Sequence, residues 1–304
     1  SELMDSEAFN NIMPDYKGRT EIIEYLKSSY PFINHGKIAN SVCNRTIDYI
    51  QIGNPQKQVL LAGAFHGMEW LTSLVLLKFA NDICDAIQNK KLLSEIHIEK
   101  FLEQRAVTII PCVNPDGVEI SLYGSQNACE YKDLVERVSN NNTSRWQANA
   151  RGVDLNHNFN AGWDALHKLE ISQGITGPAM TRYGGPYPES EPESHAIANF
   201  CRDNYIEHAL AFHSQGEEIY WDFGENTPKK SKSMANIMAI SSGYKVASPQ
   251  GLAIGGGFKD WFITEFSRPA FTIEIGKGTN PLPLSDIDPI YKKINEMLVL
   301  SIIM

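Results

Sequence analysis

The sequence lacks any apolar run that approaches the ~20 residues needed to span a bilayer as a helix. Its first stretch, SELMDSEAFNNIM, also lacks the basic segment followed by an apolar segment that marks a secretory signal peptide. These two absences predict a protein that does not insert into a membrane, and we expect a cytoplasmic location.

Cysteine is scarce and irregularly spaced. The chain has five cysteines, an odd number, and contains no CxxC pair. A disulfide framework needs an even set of cysteines, and thiolate zinc sites usually contain closely spaced pairs. We therefore expect neither, and predict five buried small apolar side chains at the following positions: Cys43, Cys84, Cys112, Cys129 and Cys201.

Positive charge is in deficit. The 36 Asp and Glu outnumber the 27 Lys and Arg, which gives a formal net charge of −9. Since affinity for nucleic acid comes mainly from Lys and Arg that neutralise phosphates, this balance argues against a nucleic-acid partner. With 304 residues, 42% of them hydrophobic, and no repeat or linker, the chain predicts one globular domain.

Buried strands alternate with helices along the chain. Residues 57–64 (KQVLLAGA) form an apolar run typical of a strand buried on both faces, and a helix follows from about Trp70 to about Ile87. A second such strand ends at Cys112, and the NPDG stretch at 114–117 predicts a turn. This alternation is typical of an α/β sheet with helices on both faces.

The flanking segments extend this pattern. A helix over residues 18–29 and a hairpin are predicted to pack, within about residues 1–55, onto a catalytic core of about residues 56–304. Ser190 and Glu193 have the capping-box spacing that opens a helix. The remaining predictions are polar functional loops at 121–150 and 160–190, strands at 208–213 and 268–276, and a C-terminal helix opening at Asp288 and Pro289.

Polar residues collect at the carboxyl ends of these strands, where ligands of open α/β sheets bind. His66 and Glu69 follow one strand, His213 ends another and Glu274 ends a third. Two imidazoles and a carboxylate suit a catalytic zinc ion, and a second carboxylate would serve as the base for a water molecule. Taken singly, a histidine at a strand end is more often structural, and acidic residues are common at helix starts. Glu274 is the stronger signal, because a buried carboxylate is costly unless it is paired or functional.

Five motifs occur in the order expected of one enzyme family: HGMEW (66–70), NPDG (114–117), GVDLNHNF (152–159), HSQG (213–216) and FTIEIG (271–276). They resemble the motifs of the zinc carboxypeptidase superfamily, over roughly residues 55–280. Within that superfamily, NARGVDLN, FHSQGEEIYW and NPLPL are similar to the γ-D-glutamyl-L-diamino acid endopeptidases, which cut bacterial cell-wall peptides. The resemblance implies a single three-layer α/β/α domain with a mixed central sheet of about eight strands, and a muropeptide as the peptide substrate.

The resemblance also implies roles for individual residues. His66, Glu69 and His213 would hold one zinc ion, and Glu274 would be the general base that later passes its proton to the leaving amine. Asn156 aligns with a residue that binds a substrate carboxylate.

Three departures from the family pattern bear on specificity. His157 replaces the arginine that usually follows the asparagine, and Leu252 falls near the position of a mobile tyrosine. Both losses disfavour a clamp for a C-terminal carboxylate, since arginine alone offers a fixed bidentate fork. Gln147 stands at the offset of the usual oxyanion-binding arginine, so we expect Arg151, rather than the nearby Arg145, to take that role.

A diaminopimelate side chain carries an amine and a carboxylate, so its pocket needs both signs of charge. We expect Lys259 to meet the carboxylate and Glu217 or Glu218 to meet the ammonium, with His157 also in the substrate site. The functions left open are a γ-D-glutamyl–diaminopimelate peptidase, a conventional carboxypeptidase, a small-molecule zinc amidase, and an inactive binder of wall peptides.

Overall fold

The computed structural model describes residues 7–304, and the first six residues of the predicted N-terminal segment lie outside that part. Within the described residues, eight strands form one mixed sheet. In chain order they are β1 (Asn34–Asn40), β2 (Thr46–Gly53), β3 (Gln58–Ala62), β4 (Ala106–Ile110), β5 (Ile206–Ser214), β6 (Glu218–Tyr220), β7 (Lys245–Val246) and β8 (Ala270–Ile275).

The sheet order is β1-β2-β4-β3-β5-β8-β6-β7. The four central strands β4, β3, β5 and β8 are parallel, whereas β2 pairs antiparallel with β4 and β6 pairs antiparallel with β8. The strands predicted at 57–64, at the segment ending at Cys112, at 208–213 and at 268–276 correspond to β3, β4, β5 and β8 and are confirmed.

Ten α-helices accompany the sheet in residues 7–304. They are α1 (Tyr16–Ser29), α2 (Leu71–Gln88), α3 (Ile98–Leu102), α4 (Pro115–Tyr123), α5 (Lys132–Ser139), α6 (Trp163–Ser172), α7 (Pro192–Asp203), α8 (Lys230–Ser242), α9 (Phe258–Phe266) and α10 (Ile287–Ile303).

The alternation of side chains along β3 produces the three layers. Val59 and Leu61 belong to the apolar core shared with α2 and α10, while Leu60 and Ala62 belong to the core shared with α7 and α9. Since successive side chains of a strand point to opposite faces, a strand with apolar residues throughout must be covered on both sides. The predicted α/β/α architecture with a mixed eight-stranded sheet is confirmed.

Several local predictions are wrong. The NPDG stretch is not a free turn but the start of α4, in which Asn114 accepts a hydrogen bond from Gly117 N and Pro115 is the first helical residue. The predicted loops at 121–150 and 160–190 contain the short helices α5 and α6, whose eight and ten residues are too few to establish a clear periodicity.

The capping box expected at Ser190 and Glu193 does not form, although helix α7 does begin there. The Ser190 hydroxyl donates to Glu191 Oε2 at 2.7 Å instead of binding the helix backbone. Asn149 donates one hydrogen bond to Glu191 and one to Glu193, so tertiary contacts use the side chains that a capping box would need.

The cysteine prediction is also wrong in part. Cys43 and Cys129 form a disulfide across 86 residues of sequence. Cys43 lies at the turn between β1 and β2, and its backbone N–H donates to Asp116 of α4, which brings the turn against the segment that contains Cys129. Among the described cysteines, Cys84, Cys112 and Cys201 are buried and unpaired, as expected.

A helix that crosses a membrane must be both long and predominantly apolar. In the part of the chain that the structure describes, no helix combines the length and the apolar character that a bilayer crossing requires.

His208 predicts a pH dependence of stability. It is buried on β5, its Nε2 lies 2.6 Å from the carbonyl oxygen of Ser301 in α10, and burial lowers its pKa to about 4. Because the unfolded chain binds this proton more readily, the stabilisation is complete above the ordinary pKa of about 6.5 and is lost as the pH falls towards 4. We expect the free energy of unfolding to drop by up to about 3 kcal/mol from this group.

Denaturant unfolding at pH 7 and pH 4.5 measures this loss. His208→Gln retains a hydrogen-bond donor without titrating, and should lose less stability on acidification than the unmodified chain. His195→Gln, at an exposed histidine of α7, is the matched control. Equal losses in the unmodified chain and in His208→Gln would contradict the assignment.

Candidate active site

Three adjacent parallel strands bring the predicted site residues together. His213 of β5 and Glu274 of β8 are directly paired in the parallel register. His66 and Glu69 follow β3, which lies on the other side of β5. All four residues therefore lie at the carboxyl edge of the sheet, the location that we predicted from their positions at the ends of strands.

His66, Glu69 and His213 form a compact set of donor atoms. One ligand atom from each lies within 4.8 Å of the others. His66 Nδ1 is 2.7 Å from Glu69 Oε2, and His213 Nδ1 is 3.2 Å from Glu69 Oε1. Two imidazole nitrogens and one carboxylate around a shared space match the donor set of a catalytic zinc site.

The remaining contacts of the donor set also fit a bound cation. His66 Nε2 lies 2.9 Å from Asp154 Oδ1, so a carboxylate orients this ring as in many metal sites. Although burial opposes it, the charges of Glu69 and Asp154 raise the pKa of His66 well above its usual value. Burial alone would raise the pKa of Glu69, but His66 and His213 bring it to about 2. The site thus stabilises positive charge between ionised carboxylates.

A close backbone approach positions the HGME segment. A Cβ atom on Gly67 would lie 2.2 Å from Gly117 O and 2.8 Å from Trp146 O, so only glycine fits there. The side-chain amide of Asn114 donates to Phe65 O, Gln147 O and Ala148 O. The NPDG motif therefore ties the segment that carries His66 to the segment that contains Gln147.

Glu274 faces the same cavity as the metal-binding set. Its side chain is half-buried and lines the cavity with His66, Glu69 and His213. Burial, followed by the charge of Glu69, raises its pKa well above the usual range, while His66 partly offsets the shift. A carboxyl group in this setting has an increased affinity for a proton, which is what a general base requires.

The cavity has a volume of about 570 Å³ and contains several residues to which the sequence analysis assigned no role. Asp154 lies in the GVDLNHNF motif, two residues before Asn156, and its place in that motif is the sequence feature that points to it. Thr181 and Arg182 belong to the functional loop predicted at 160–190, but nothing in the sequence singled them out within it. The other unassigned polar residues are Gln173, Ser214, Gln215, Tyr220, Gln250, Asp260, Thr272 and Asn280.

The structure does not bring Arg151 or Glu217 to this cavity. Arg151 Nε donates to Glu191 Oε1 at 2.9 Å, which holds the guanidinium at a neighbouring cavity. Glu217 is bound instead by Lys277 at 3.1 Å and Lys293 at 2.9 Å. The oxyanion role expected of Arg151 and the ammonium contact expected of Glu217 are thus not supported, because local ion pairs hold both side chains elsewhere.

Asn156, His157 and Lys259 do line the cavity. Asn156 Oδ1 accepts from Phe258 N at 3.0 Å, which restrains the orientation of the carboxamide. His157 is buried in the wall, with Nδ1 3.2 Å from Glu170 Oε2.

Lys259 is nearly fully buried and not a solvated surface charge. Its Nζ lies 2.6 Å from Asp260 Oδ1 and donates to Asp222 O at 2.7 Å. Burial raises the pKa of Asp260, and Lys259 partly reverses that shift. Because Asp260 also lines the cavity, the wall presents a cation and an anion side by side.

Comparison with known proteins agrees with this site. A model of the zinc carboxypeptidase family matches residues 20–296. The γ-D-glutamyl-L-diamino acid endopeptidase 1 of Lysinibacillus sphaericus is 36% identical over 282 residues, which are 92% of this chain and 69% of that protein.

Solved structures share the fold. Bovine thrombin-activatable fibrinolysis inhibitor, in complex with tick carboxypeptidase inhibitor, matches with a TM-score of 0.76 at 20% identity over 97% of each chain. The murein-tripeptide amidase of Escherichia coli O157 matches with a TM-score of 0.53 at 18% identity, over 87% of this chain and 91% of that one. With the matching family model and the His66, Glu69 and His213 donor set, the chain belongs to the zinc carboxypeptidase family and is a zinc metallopeptidase.

Proposed function

We propose that this protein hydrolyses the γ-D-glutamyl bond to diaminopimelate in bacterial cell-wall peptides. The observation that carries the proposal is the buried Lys259–Asp260 pair in the wall of the cavity that contains the zinc-binding set. The second amino-acid centre of diaminopimelate bears an ammonium and a carboxylate. The ammonium is opposite in charge to Asp260, and the carboxylate is opposite in charge to Lys259. The activity named for the relative in Lysinibacillus sphaericus supports the same substrate class.

His66, Glu69 and His213 would hold the zinc ion, which when bound acidifies a water molecule and polarises the scissile carbonyl. Glu274 would take the proton of the attacking water and deliver it to the departing amine. Asn156 would donate its amide N–H groups to a substrate carboxylate, and the wall formed by His157 would limit the space beside it.

Gln147 replaces Arg151 as the proposed donor to the oxyanion. Its Oε1 accepts a hydrogen bond from the Thr181 hydroxyl, and its Nε2 lies 3.3 Å from Glu69 Oε2. The carboxamide is therefore fixed with its N–H groups towards the zinc-binding set, where negative charge develops on the carbonyl oxygen. A donor held in place before the reaction stabilises that charge without reorganisation.

A conventional carboxypeptidase is the second candidate. Arg145 and Arg182 both line the cavity, and either guanidinium has the geometry to bind a terminal carboxylate. The position of Leu252, at the cavity lining where the family pattern has a tyrosine, disfavours this activity. For the main proposal, the same arginines would meet the free α-carboxylate of the γ-linked glutamate.

The reaction products distinguish the two candidates. The zinc-loaded protein should convert L-Ala-γ-D-Glu-diaminopimelate-D-Ala into L-Ala-D-Glu and diaminopimelate-D-Ala, as read by mass spectrometry. Release of D-Ala alone would identify a carboxypeptidase and reject the proposal. We also expect kcat/KM to fall at least about tenfold for the matching peptide with lysine in place of diaminopimelate, since one charge-assisted contact of roughly 1.4 kcal/mol is lost.

The contribution of Lys259 is checked by Lys259→Gln with both peptides. The variant should lose the preference for diaminopimelate over lysine, because the carboxylate has lost its cation. Its melting temperature is measured alongside, since Asp260 then lacks its partner. An unchanged preference in a folded variant would show that Lys259 does not contact the diaminopimelate carboxylate.

Glu274→Gln tests the general base. We expect kcat to fall by about 10²–10⁴-fold, because the amide cannot accept the proton. Bound zinc, measured by elemental analysis, should remain at the level of the unmodified protein. A variant that keeps kcat within a few-fold would remove Glu274 from the mechanism.

Gln147→Ala tests the oxyanion contact. Loss of one fixed donor is expected to lower kcat by about 10²-fold and to leave KM and zinc content nearly unchanged. Gln147→Glu should be at least as inactive, because its carboxylate repels the developing oxyanion. The exposed Gln126, replaced by Ala, is the control for the assay, and an active Gln147→Ala protein would point to another donor.

A further inference from the structure

A second cavity of about 330 Å³ lies beside the catalytic one. We name it the tyrosine pocket, after the rings of Tyr131, Tyr183 and Tyr187, and the Arg151–Glu191 pair forms its polar part. The proposed catalytic steps use none of these side chains. Tyr187 is 60% exposed, so its ring is accessible to a ligand in this pocket.

One backbone segment separates the two cavities. Thr181 and Arg182 line the catalytic cavity, whereas Tyr183 lines the tyrosine pocket. The segment is held in place by hydrogen bonds from Ala179 N to Gly152 O at 2.9 Å and from Asp154 N to Tyr183 O at 2.7 Å. Arg182 and Tyr183 are consecutive but line different cavities, so the two cavities lie side by side across this segment.

The charges in the tyrosine pocket cancel each other. Glu191 is 3% exposed, and its carboxylate accepts hydrogen bonds from Arg151 Nε and from Asn149 Nδ2. The Arg151 guanidinium also interacts with the Tyr131 side chain, and tyrosine hydroxyls both donate and accept hydrogen bonds. This combination suits a neutral ligand with several hydroxyl or amide groups rather than an ion.

The flat rings point to the shape of that ligand. Tyrosine combines an apolar ring face with a polar hydroxyl, so it packs against a ring and hydrogen-bonds its substituents. An apolar aromatic side chain would fit the rings, but it would cover Arg151 and Glu191 without offering them hydrogen bonds, which is costly. A sugar ring satisfies both the apolar faces and the polar groups.

We infer that the tyrosine pocket binds the N-acetylated sugar to which a cell-wall peptide is attached. The inference rests on the proposed function, since it places the sugar beyond the L-Ala-γ-D-Glu portion of the same substrate. The protein would accordingly favour peptides that still carry their glycan over free peptides. Arg151 then contributes to binding the sugar and not to stabilising the oxyanion.

Paired substrates test this inference. The zinc-loaded protein is given the same peptide with and without its disaccharide, and kcat/KM is measured for each. We expect about a tenfold preference for the glycosylated peptide, the effect of roughly one well-stacked ring. Tyr187→Ala should abolish the preference and leave the free peptide unaffected, whereas Tyr205→Ala, at a similarly exposed tyrosine before β5, should preserve it.

Equal kcat/KM for the two substrates would overturn the inference, and so would an equal loss for both in Tyr187→Ala. A gain produced by an aromatic residue in place of the disaccharide would also reject it, in favour of a peptide pocket. Ligand-detected NMR with N,N′-diacetylchitobiose is independent of turnover. Saturation transfer to the acetyl groups that disappears in Tyr187→Ala supports the pocket, and its absence at millimolar sugar rejects it. If neither peptide is cleaved, the proposed function fails, and the NMR result still decides the sugar site.

Discussion

The buried carboxylate of Glu69 contacts three separate stretches of the chain. Its oxygens meet His66 Nδ1 at 2.7 Å, His213 Nδ1 at 3.2 Å and Ser214 N at 2.9 Å, and Gln147 approaches at 3.3 Å. An ionised carboxylate is stable in the interior only when positive charge or donors surround it. Three segments therefore meet at this one carboxylate: the segment after β3, the end of β5 and the segment that contains Gln147. Together they form a site that favours a cation.

The sheet makes that convergence possible. β3 and β8 flank β5 in parallel, so the ends of three strands that are distant in sequence meet at one edge. Asn114 then fixes the loops above that edge, because its side chain caps α4 and also donates to Phe65 O and Gln147 O. The site is thus held by backbone contacts as well as by the metal-binding side chains, in keeping with the need to position donors before a reaction.

Each of the two neighbouring cavities contains one ion pair, buried for Lys259 and Asp260 and partly exposed at Arg151. Lys259 and Asp260 lie inside the catalytic cavity, where they suit a zwitterionic group, whereas Arg151 and Glu191 lie in the tyrosine pocket beyond Arg182. The two long polar stretches of the sequence, at 121–150 and 160–190, supply most of the residues that line the tyrosine pocket. Tyr131 and Leu134, at the start of α5, come from the first stretch, and Tyr183 and Tyr187, which follow α6 in the chain, come from the second.

The sequence by itself determined the layers of the fold and the residues at the strand ends. A wholly apolar strand such as β3 must be covered on both faces, and parallel strands must bring His213 and Glu274 to the same edge. It did not determine where long side chains bind. The partners that hold Arg151, Glu217 and Cys43 are all remote in sequence. They are Glu191 for Arg151, Lys277 and Lys293 for Glu217, and Cys129 for Cys43. Only the tertiary structure decided these pairings, since a flexible charged side chain goes to whichever opposite charge the fold brings within a few ångströms.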